Sequence, residues 1–354
     1  MAHYSDEQLY EKGLEALSVF FGTQECSIQP TEHGSNNWVY YIDKGASKFV
    51  LRLYNNNKST GRVKAEHAIL ATLSSIETSF KVPMLVPVPD ETVATYVILE
   101  CGMCACLFTL LPGVSPGGDT KHTQAMGKAT GELMNALSLL YSDSKTAMDT
   151  RSYGPAPYYD LWHVHASITK ESFYAFCDTC GELQDVKVRG GLTMLLNALK
   201  VMEEEIKAWQ SMEGNHFPLS FVHGDLVTDN FLVSDADGVT GIIDFEFVGE
   251  DWRIMELATS LSKFPEDVAP MHNLSLFARG FHSTFAGKLS PAEVRALPSM
   301  IRLRMVSNVI YFVGRVLSGE AKVEYLVDRV PGYCRRLKWL DMEENSLALR
   351  QLFE

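Results

Sequence analysis

The run Leu111-Pro-Gly-Val-Ser-Pro-Gly-Gly118 is the strongest interruption in the chain. Its prolines and glycines neither continue a helix nor sit in a central strand. Hydrophobic periodicity changes across it. Before the break, Val39-Tyr-Tyr-Ile42 and Phe49-Val-Leu-Arg-Leu-Tyr54 read as strands around the turn Asp43-Lys-Gly-Ala-Ser47, with further strands expected over 86–88, 92–100 and 104–111. Helices are expected over 5–21, where Ser5 and Gln8 form a capping-box pattern, and over 59–73. After the break helical spacing dominates, over 124–140, 168–176, 192–209 and most of 256–352. The exception is a β-rich hairpin within 221–247, in which Phe231-Leu-Val233 and Thr240-Gly-Ile-Ile243 flank Asp235-Ala-Asp-Gly238. The pattern predicts an α+β, bilobal chain. A small β-rich N-lobe would span 1–105, a lobe linker 106–113, and a large, mostly helical C-lobe 114–354.

Composition narrows the class. At roughly 150 residues per domain, 354 residues make two domains or one large one, with enough chain for a full core. A hydrophobic content of 46% and a charged content of 21% exclude disordered and fibrous chains. A net charge of −13 argues against nucleic acid or an anionic membrane as partner. No basic segment followed by an apolar run opens the chain, and the apolar stretch 82–112 is broken by prolines and by Asp90, Glu91 and Glu100. Seven cysteines without an export signal read as reduced thiols in a cytoplasmic protein.

The hairpin carries the densest chemistry: Phe221-Val-His-Gly-Asp-Leu-Val-Thr-Asp-Asn-Phe-Leu-Val233, then Gly241-Ile-Ile-Asp-Phe-Glu246. Apolar strands on both sides would clamp the loop between His223 and Asn230. Asp244 follows Ile242-Ile243, where the partner strand can bring it beside Asn230. Asn230 and Asp244 together offer hard oxygens suited to Mg²⁺. Asp225 remains as a second carboxylate, free to take a proton from an attacking hydroxyl. The kinase catalytic loop has the form H-x-D-L-x-x-x-N and is followed by a D-F-x metal ligand. His223, Asp225, Leu226 and Asn230 fit the first pattern, and Asp244-Phe245 the second. The competing reading is a pair of ordinary Asp/Asn turns.

His223-Gly-Asp-Leu226 with Ile242-Ile-Asp-Phe-Glu246 resembles the aminoglycoside phosphotransferase and choline kinase superfamily of small-molecule kinases. Gly224 is that family's form, where eukaryotic protein kinases usually carry Arg. The segment Asp244-Phe-Glu-Phe-Val-Gly-Glu-Asp-Trp-Arg-Ile-Met-Glu-Leu-Ala258 is similar to homoserine-kinase-like members, with Glu256 in place of the acid, usually Asp, that braces the catalytic loop. The resemblance spans about residues 30–260. It implies a protein-kinase-like fold, ATP and Mg²⁺ as cofactors, catalytic Asp225 and Asn230, and metal ligands Asn230 and Asp244.

The N-lobe offers a separate check. Strand 49–54 puts Val50, Arg52 and Tyr54 on one face, and Glu66 lies within the apolar stripe of helix 60–73. A buried carboxylate needs a partner, and Arg52 is the natural one. The pair matches the kinase strand-to-helix ion pair that orients nucleotide phosphates, with Arg for the usual Lys. The loop His33-Gly-Ser-Asn-Asn-Trp38 stands where a nucleotide-covering loop belongs, which makes Ser35 and Asn37 candidates for phosphate; an ordinary hairpin turn is the alternative. The run Cys106-Leu-Phe-Thr-Leu-Leu-Pro-Gly113 resembles the family's linker, whose backbone would pair with adenine between apolar walls such as Phe108.

Cys101-x-x-Cys104-x-Cys106 and Cys177-x-x-Cys180 imitate a zinc site, but the pairs lie over seventy residues apart and read as buried thiols. His163 and His165 read as packing or pocket lining. The expected activity is phosphorylation of a hydroxyl on a small polar metabolite. An acidic C-lobe suits an amine-bearing acceptor such as homoserine, hydroxylysine, choline, ethanolamine or an aminoglycoside, and the homoserine-like segment puts an amino-acid alcohol ahead. No obligatory protein partner is evident. The rival readings are a pseudokinase or nucleotide-binding scaffold without turnover, and a protein kinase, which the lack of Ala-Pro-Glu after Asp244 disfavours.

Overall fold

The computed structural model describes residues 4–22, 26–31, 36–55, 60–89, 94–142, 153–180, 186–211, 217–236 and 238–354. Helix α1 (Asp6–Phe21) begins on a reciprocal cap: the Gln8 N–H donates to Ser5 Oγ at 3.3 Å, and the Ser5 N–H to Gln8 Oε1 at 2.9 Å. Strands β1 (Ser27–Pro30), β2 (Trp38–Lys44), β3 (Ser47–Leu53), β4 (Val97–Ile98) and β5 (Cys104–Thr109) form an antiparallel sheet in the order β1-β2-β3-β5-β4. Both faces of its centre are covered, and the strands alternate accordingly. Leu51, Leu53, Ala105 and Leu107 pack with Leu9, Leu17 and Phe20 of α1. Tyr54, Cys104, Cys106 and Phe108 pack with Val63, Ile69 and Leu70 of α2 (Thr60–Leu73).

One expectation is corrected. Residues 86–88 form no strand, and within 92–100 only Val97–Ile98 does, while 90–93 lie outside the described residues. Pro83, Pro87 and Pro89 remove the donors a ladder needs. What survives are single bonds, such as the Val86 N–H to the Leu107 carbonyl at 2.8 Å. The expected linker 106–113 also overlaps the sheet, because Cys106 to Thr109 belong to β5. Phe108 is 3% exposed, pairs with Val50 across the ladder, and packs edge-on to His67 beside Arg52.

The rest of the chain is mostly helical: α3 (Thr123–Ser142), α4 (Lys170–Cys180), α5 (Val186–Ser211), α6 (Ile254–Leu261), α7 (Pro270–Thr284), α8 (Pro291–Leu317), α9 (Val323–Val327), α10 (Val330–Asp341) and α11 (Glu343–Gln351). Helices α3 and α7 cross at backbone contact. A Cβ on Gly280 would strike the Gln124 carbonyl, and one on Gly127 the Phe277 carbonyl, so only glycine permits this approach. Among the described residues no helix is long and apolar enough to cross a membrane.

Two short ladders lie within this helical part. Strand β6 (Leu219–Val222) pairs with β9 (Gly249–Trp252), and β7 (Phe231–Ser234) with β8 (Gly238–Ile242). The β7–β8 hairpin is held on both edges. Val114 exchanges backbone hydrogen bonds with Val233 at 2.8 and 3.1 Å, and Lys81 bonds the backbone of Thr240 and Ile242 at 3.0 Å each. The segments leaving and entering the sheet region thus fix the hairpin that carries the polar motif.

Candidate active site

The loop after β6 is pinned by His223. The ring is fully buried, and burial pushes its pKa down to about 4, so it is neutral at pH 7. Nε2 lies 2.9 Å from the Ile243 carbonyl, which can only accept, so Nε2 carries the proton. Nδ1 then accepts the Asp225 N–H at 3.2 Å. Glu256, in the first turn of α6, accepts the His223 N–H through Oε2. The longer Glu thus still reaches the His223–Asn230 loop, although its Oε1 is buried without a hydrogen-bond partner among the described residues. Burial pushes the Glu256 carboxyl up to about 8. The Tyr158 hydroxyl donates to the Gly224 carbonyl on the other side of the loop.

Asp225 and Asn230 meet within this loop. Asn230 Nδ2 donates to the Asp225 carbonyl at 2.7 Å and lies 3.4 Å from Asp225 Oδ2, which leaves the Asn230 side-chain oxygen for a cation. Burial pushes the Asp225 carboxyl above its ordinary range, against the pull of Arg304, whose Nη2 lies 2.5 Å from Oδ1. The Ile243 N–H donates to the Asn230 carbonyl at 3.0 Å, which draws the end of β8, and with it Asp244, to Asn230. Asp244 has φ 69°, the one positive φ outside glycine among the described residues. Such strain marks functional positions.

Across the cleft, Arg52 Nη1 donates to Glu66 Oε1 at 2.8 Å and Nη2 to Asp244 Oδ1 at 3.0 Å. The Tyr54 hydroxyl takes the other Glu66 oxygen at 2.9 Å. Burial disfavours the Arg52 charge, but Glu66 and then Asp244 outweigh it and raise the pKa further. Arg52, Glu66 and Asp244 therefore form one charged chain from sheet to hairpin.

Ser35 lies outside the described residues. Asn37 donates to Glu246 Oε2, and its own oxygen accepts the Asn55 N–H at 3.0 Å. Asn36 donates to Glu246 Oε1 at 2.8 Å and accepts from Arg315 Nη1 at 2.6 Å and from the Tyr311 hydroxyl at 3.3 Å. Burial, then the nearby Asp244, pushes Glu246 up to about 8. Beside this cluster lies a cavity of about 300 Å³, whose lining includes Asn36, Glu246, Phe247, Tyr311, Arg315 and Glu320. Phe247 also packs against Gly224, so the cavity borders the catalytic loop.

The donor set suits a hard cation. Asn230 and Asp244 offer an amide and a carboxylate oxygen at adjoining backbone positions, the chemistry Mg²⁺ takes. Among the described residues no cluster of three or more His, Cys, Asp or Glu side chains stands ready to hold a metal. Cys104 and Cys106 are buried in β5 and Cys177 is buried on α4, while the Cys180 side chain lies outside the described part. His163 and His165 line the cavity, and His165 stands 3.5 Å from Glu320.

Sequence reasoning assigned no role to Glu246, Asn36, Tyr158, Arg304, Tyr311 or Arg315. Glu246 and Asn36 stood inside the quoted motifs. The one signal for Arg304 was its place, with Arg302, among the apolar residues of Met300-Ile-Arg-Leu-Arg-Met305.

A β-sheet packed over a helical part, with His-Gly-Asp and Asp-Phe-Glu segments meeting at an Arg–Glu pair, defines a kinase-like phosphotransferase. The family model described as "Phosphotransferase enzyme family" matches residues 27–288. The chain belongs to that family and is a small-molecule phosphotransferase. Similar solved structures include a microcompartment-associated aminopropanol kinase at 17% identity, covering 96% of this chain and 99% of that one with a TM-score of 0.69. An aminoglycoside phosphotransferase from Alicyclobacillus acidocaldarius is 14% identical, covering 99% and 97%, with a TM-score of 0.60. The Plasmodium vivax ethanolamine kinase is 12% identical, covering 98% and 92%, with a TM-score of 0.54. These likenesses share the protein-kinase-like fold. A search of the curated proteins finds no match to the chain.

Proposed function

We propose that the chain transfers the terminal phosphoryl group of ATP, with Mg²⁺, to a hydroxyl of a small amine-bearing alcohol. The observation that carries this reading is the convergence of Asp225, Asn230 and Asp244 on one loop–hairpin junction, with Arg52 reaching Asp244 from the opposite side. Asp225 takes the proton of the acceptor hydroxyl as its oxygen bonds to phosphorus and the bond to ADP breaks. Arg52, aimed by Glu66, binds phosphate oxygens, and Asn37 belongs to the loop over them. Mg²⁺ held by Asn230 and Asp244 would neutralise charge on the phosphates.

The cavity beside Phe247 is the acceptor site of this reading. Glu246 and Glu320 suit an ammonium group, and the Tyr311 and Phe247 rings give it apolar walls. Arg62 and Arg315 at the same cavity suit a carboxylate, which favours an amino-acid alcohol of the homoserine kind. Two similar structures, an aminopropanol kinase and an ethanolamine kinase, support an amino alcohol.

The test is ADP release with Mg·ATP and homoserine, hydroxylysine, ethanolamine, 1-amino-2-propanol, choline or kanamycin. Turnover with an amino alcohol, lost on removal of Mg²⁺, is the expected result. Magnesium-dependent ATP binding with no turnover on any of these alcohols would favour the scaffold reading instead.

A further inference from the structure

Helix α8 borders the cavity through Tyr311 and Arg315 and carries a polar stripe among its buried apolar residues. Arg304, Asn308, Tyr311 and Arg315 recur at helical spacing and face one side. Arg315 and Tyr311 meet Asn36, and Asn308 bonds the Tyr333 hydroxyl at 3.0 Å. Arg304, two turns before Tyr311, meets Asp225.

The Arg304 contact is built at a cost. Its neighbours Met300, Ile301, Leu303, Met305 and Val306 are at most 2% exposed, and Arg304 itself is 8% exposed. Its Nε is buried and has no hydrogen-bond partner among the described residues. A buried guanidinium with an unused N–H destabilises the fold relative to apolar side chains of similar volume. Among the described residues its Nη2 donates to one group, Asp225 Oδ1, at 2.5 Å. The Tyr158 ring covers its face at 5.1 Å, and the same tyrosine hydrogen-bonds the Gly224 carbonyl. Guanidinium and catalytic loop are thus braced by one side chain.

The consequence for Asp225 is a chosen orientation. Arg304 occupies Oδ1, and among the described residues Oδ2 has only the Asn230 amide at 3.4 Å, too long for a strong bond. One oxygen is anchored and the other is available.

We propose that Arg304 is a positioning residue for phosphoryl transfer: it anchors one Asp225 oxygen so that the other faces the acceptor hydroxyl. The proposal rests on the reading that Asp225 receives the acceptor proton. It assigns α8 a part in the chemistry that neither the catalytic-loop motif nor the metal pair contains.

The experiment compares full-length wild type, Arg304→Gln, Arg304→Lys, Arg304→Ala and Asp225→Asn. The probes are Mg·ATP with ethanolamine, 1-amino-2-propanol and homoserine, and Mg·ATP with water alone as acceptor. Arg304→Gln should lower kcat about 10²-fold, within the range for a misplaced base. The Michaelis constants for ATP and acceptor should stay within about twofold of wild type, since ground-state binding is untouched. Arg304→Lys, which keeps the charge and lacks the fork, should recover part of the rate. Methylguanidinium added to Arg304→Ala should raise kcat, which a purely structural role would not allow. Full turnover in Arg304→Gln would overturn the proposal, and so would a rise in kcat, which would make Arg304 a restraint. Loss of folding in Arg304→Gln leaves Arg304→Lys to decide: wild-type kcat there, with no fork, overturns it. Asp225→Asn separates the two readings. Full turnover in that variant removes the phosphotransfer role of Asp225 and this proposal with it. An inactive Asp225→Asn beside an unimpaired Arg304→Gln removes this proposal alone.

Discussion

Arg52 lies 3.0 Å from Asp244, so the guanidinium of a β-strand closes directly on the carboxylate that ends the β7–β8 hairpin. The contact ties the phosphate-binding and metal-binding sides of the proposed site into one unit. It also places a positive charge where a cation would sit. Magnesium alone should therefore bind weakly and gain affinity when nucleotide draws Arg52 to its phosphates. Asp244→Ala should abolish Mg²⁺-dependent ATP binding, because an anionic ligand is lost from a site with few protein ligands. Calorimetric titration of ATP with and without Mg²⁺ checks this; unchanged magnesium dependence in the variant would remove Asp244 from the metal site.

The Arg52–Glu66 pair invites a double-mutant cycle. Stranding one partner of a fully buried pair costs about 3–5 kcal/mol. Here each partner keeps a second contact, Arg52 with Asp244 and Glu66 with Tyr54, so either single change should cost less, about 2–3 kcal/mol. Partners in contact couple, and the double variant should cost less than the sum. Glu66→Gln should raise the Michaelis constant for ATP and spare the acceptor. Additivity in both denaturation and ATP kinetics would mean that the two charges act separately.

Two of the buried acids, Asp251 and Glu256, contribute to a pH dependence of stability in the same direction as Glu246. Burial pushes Asp251 up from 3.8 to about 7 and Glu256 up from 4.5 to about 8; N–H donors from Tyr158 and Trp252 oppose the shift at Asp251, and the His223 N–H opposes it at Glu256. An acid whose folded pKa exceeds its unfolded one binds more protons when folded, so stability falls as pH rises. The contribution is complete below the ordinary carboxylate range and is lost as pH passes about 7 to 8. The melting temperature should fall between pH 5 and pH 8, and Asp251→Asn with Glu256→Gln should flatten that slope. A melting temperature that climbs over the same interval would contradict the sign.

Gly224 has φ 80°, and a Cβ there would meet the Phe247 carbonyl oxygen. Gly224→Ala should cost about 1–3 kcal/mol from backbone strain alone. It should also displace the loop that holds Asp225 and lower kcat at least tenfold. Urea denaturation together with steady-state kinetics tests both, and a variant with wild-type kcat would show that the loop tolerates the shift.

The parts of the site readable from sequence are those whose partners are close in the chain or held by a strand pattern. Asp225 and Asn230 are five residues apart, and strand alternation alone put Arg52 on the face where Glu66 stands. Arg304 meets Asp225 from 79 residues away, and Arg315 meets Asn36 from 279. No local period relates such residues, because helix packing brings them together. The strand expected over 86–88 failed for a different reason: apolar composition suggested pairing that Pro83, Pro87 and Pro89 interrupt.

Asn36 is held at once by Glu246, Arg315 and Tyr311, and all four residues line the same cavity. Its neighbour Asn37 belongs to the loop expected over the nucleotide phosphates. An acceptor that shifts Glu246 or Arg315 must alter the grip on that loop. Linkage then makes the effect reciprocal: whatever factor the acceptor imposes on ATP affinity, ATP imposes on acceptor affinity. The two substrates of such an enzyme would not bind independently, and the scarcer of them in the cell would govern how firmly the other is retained.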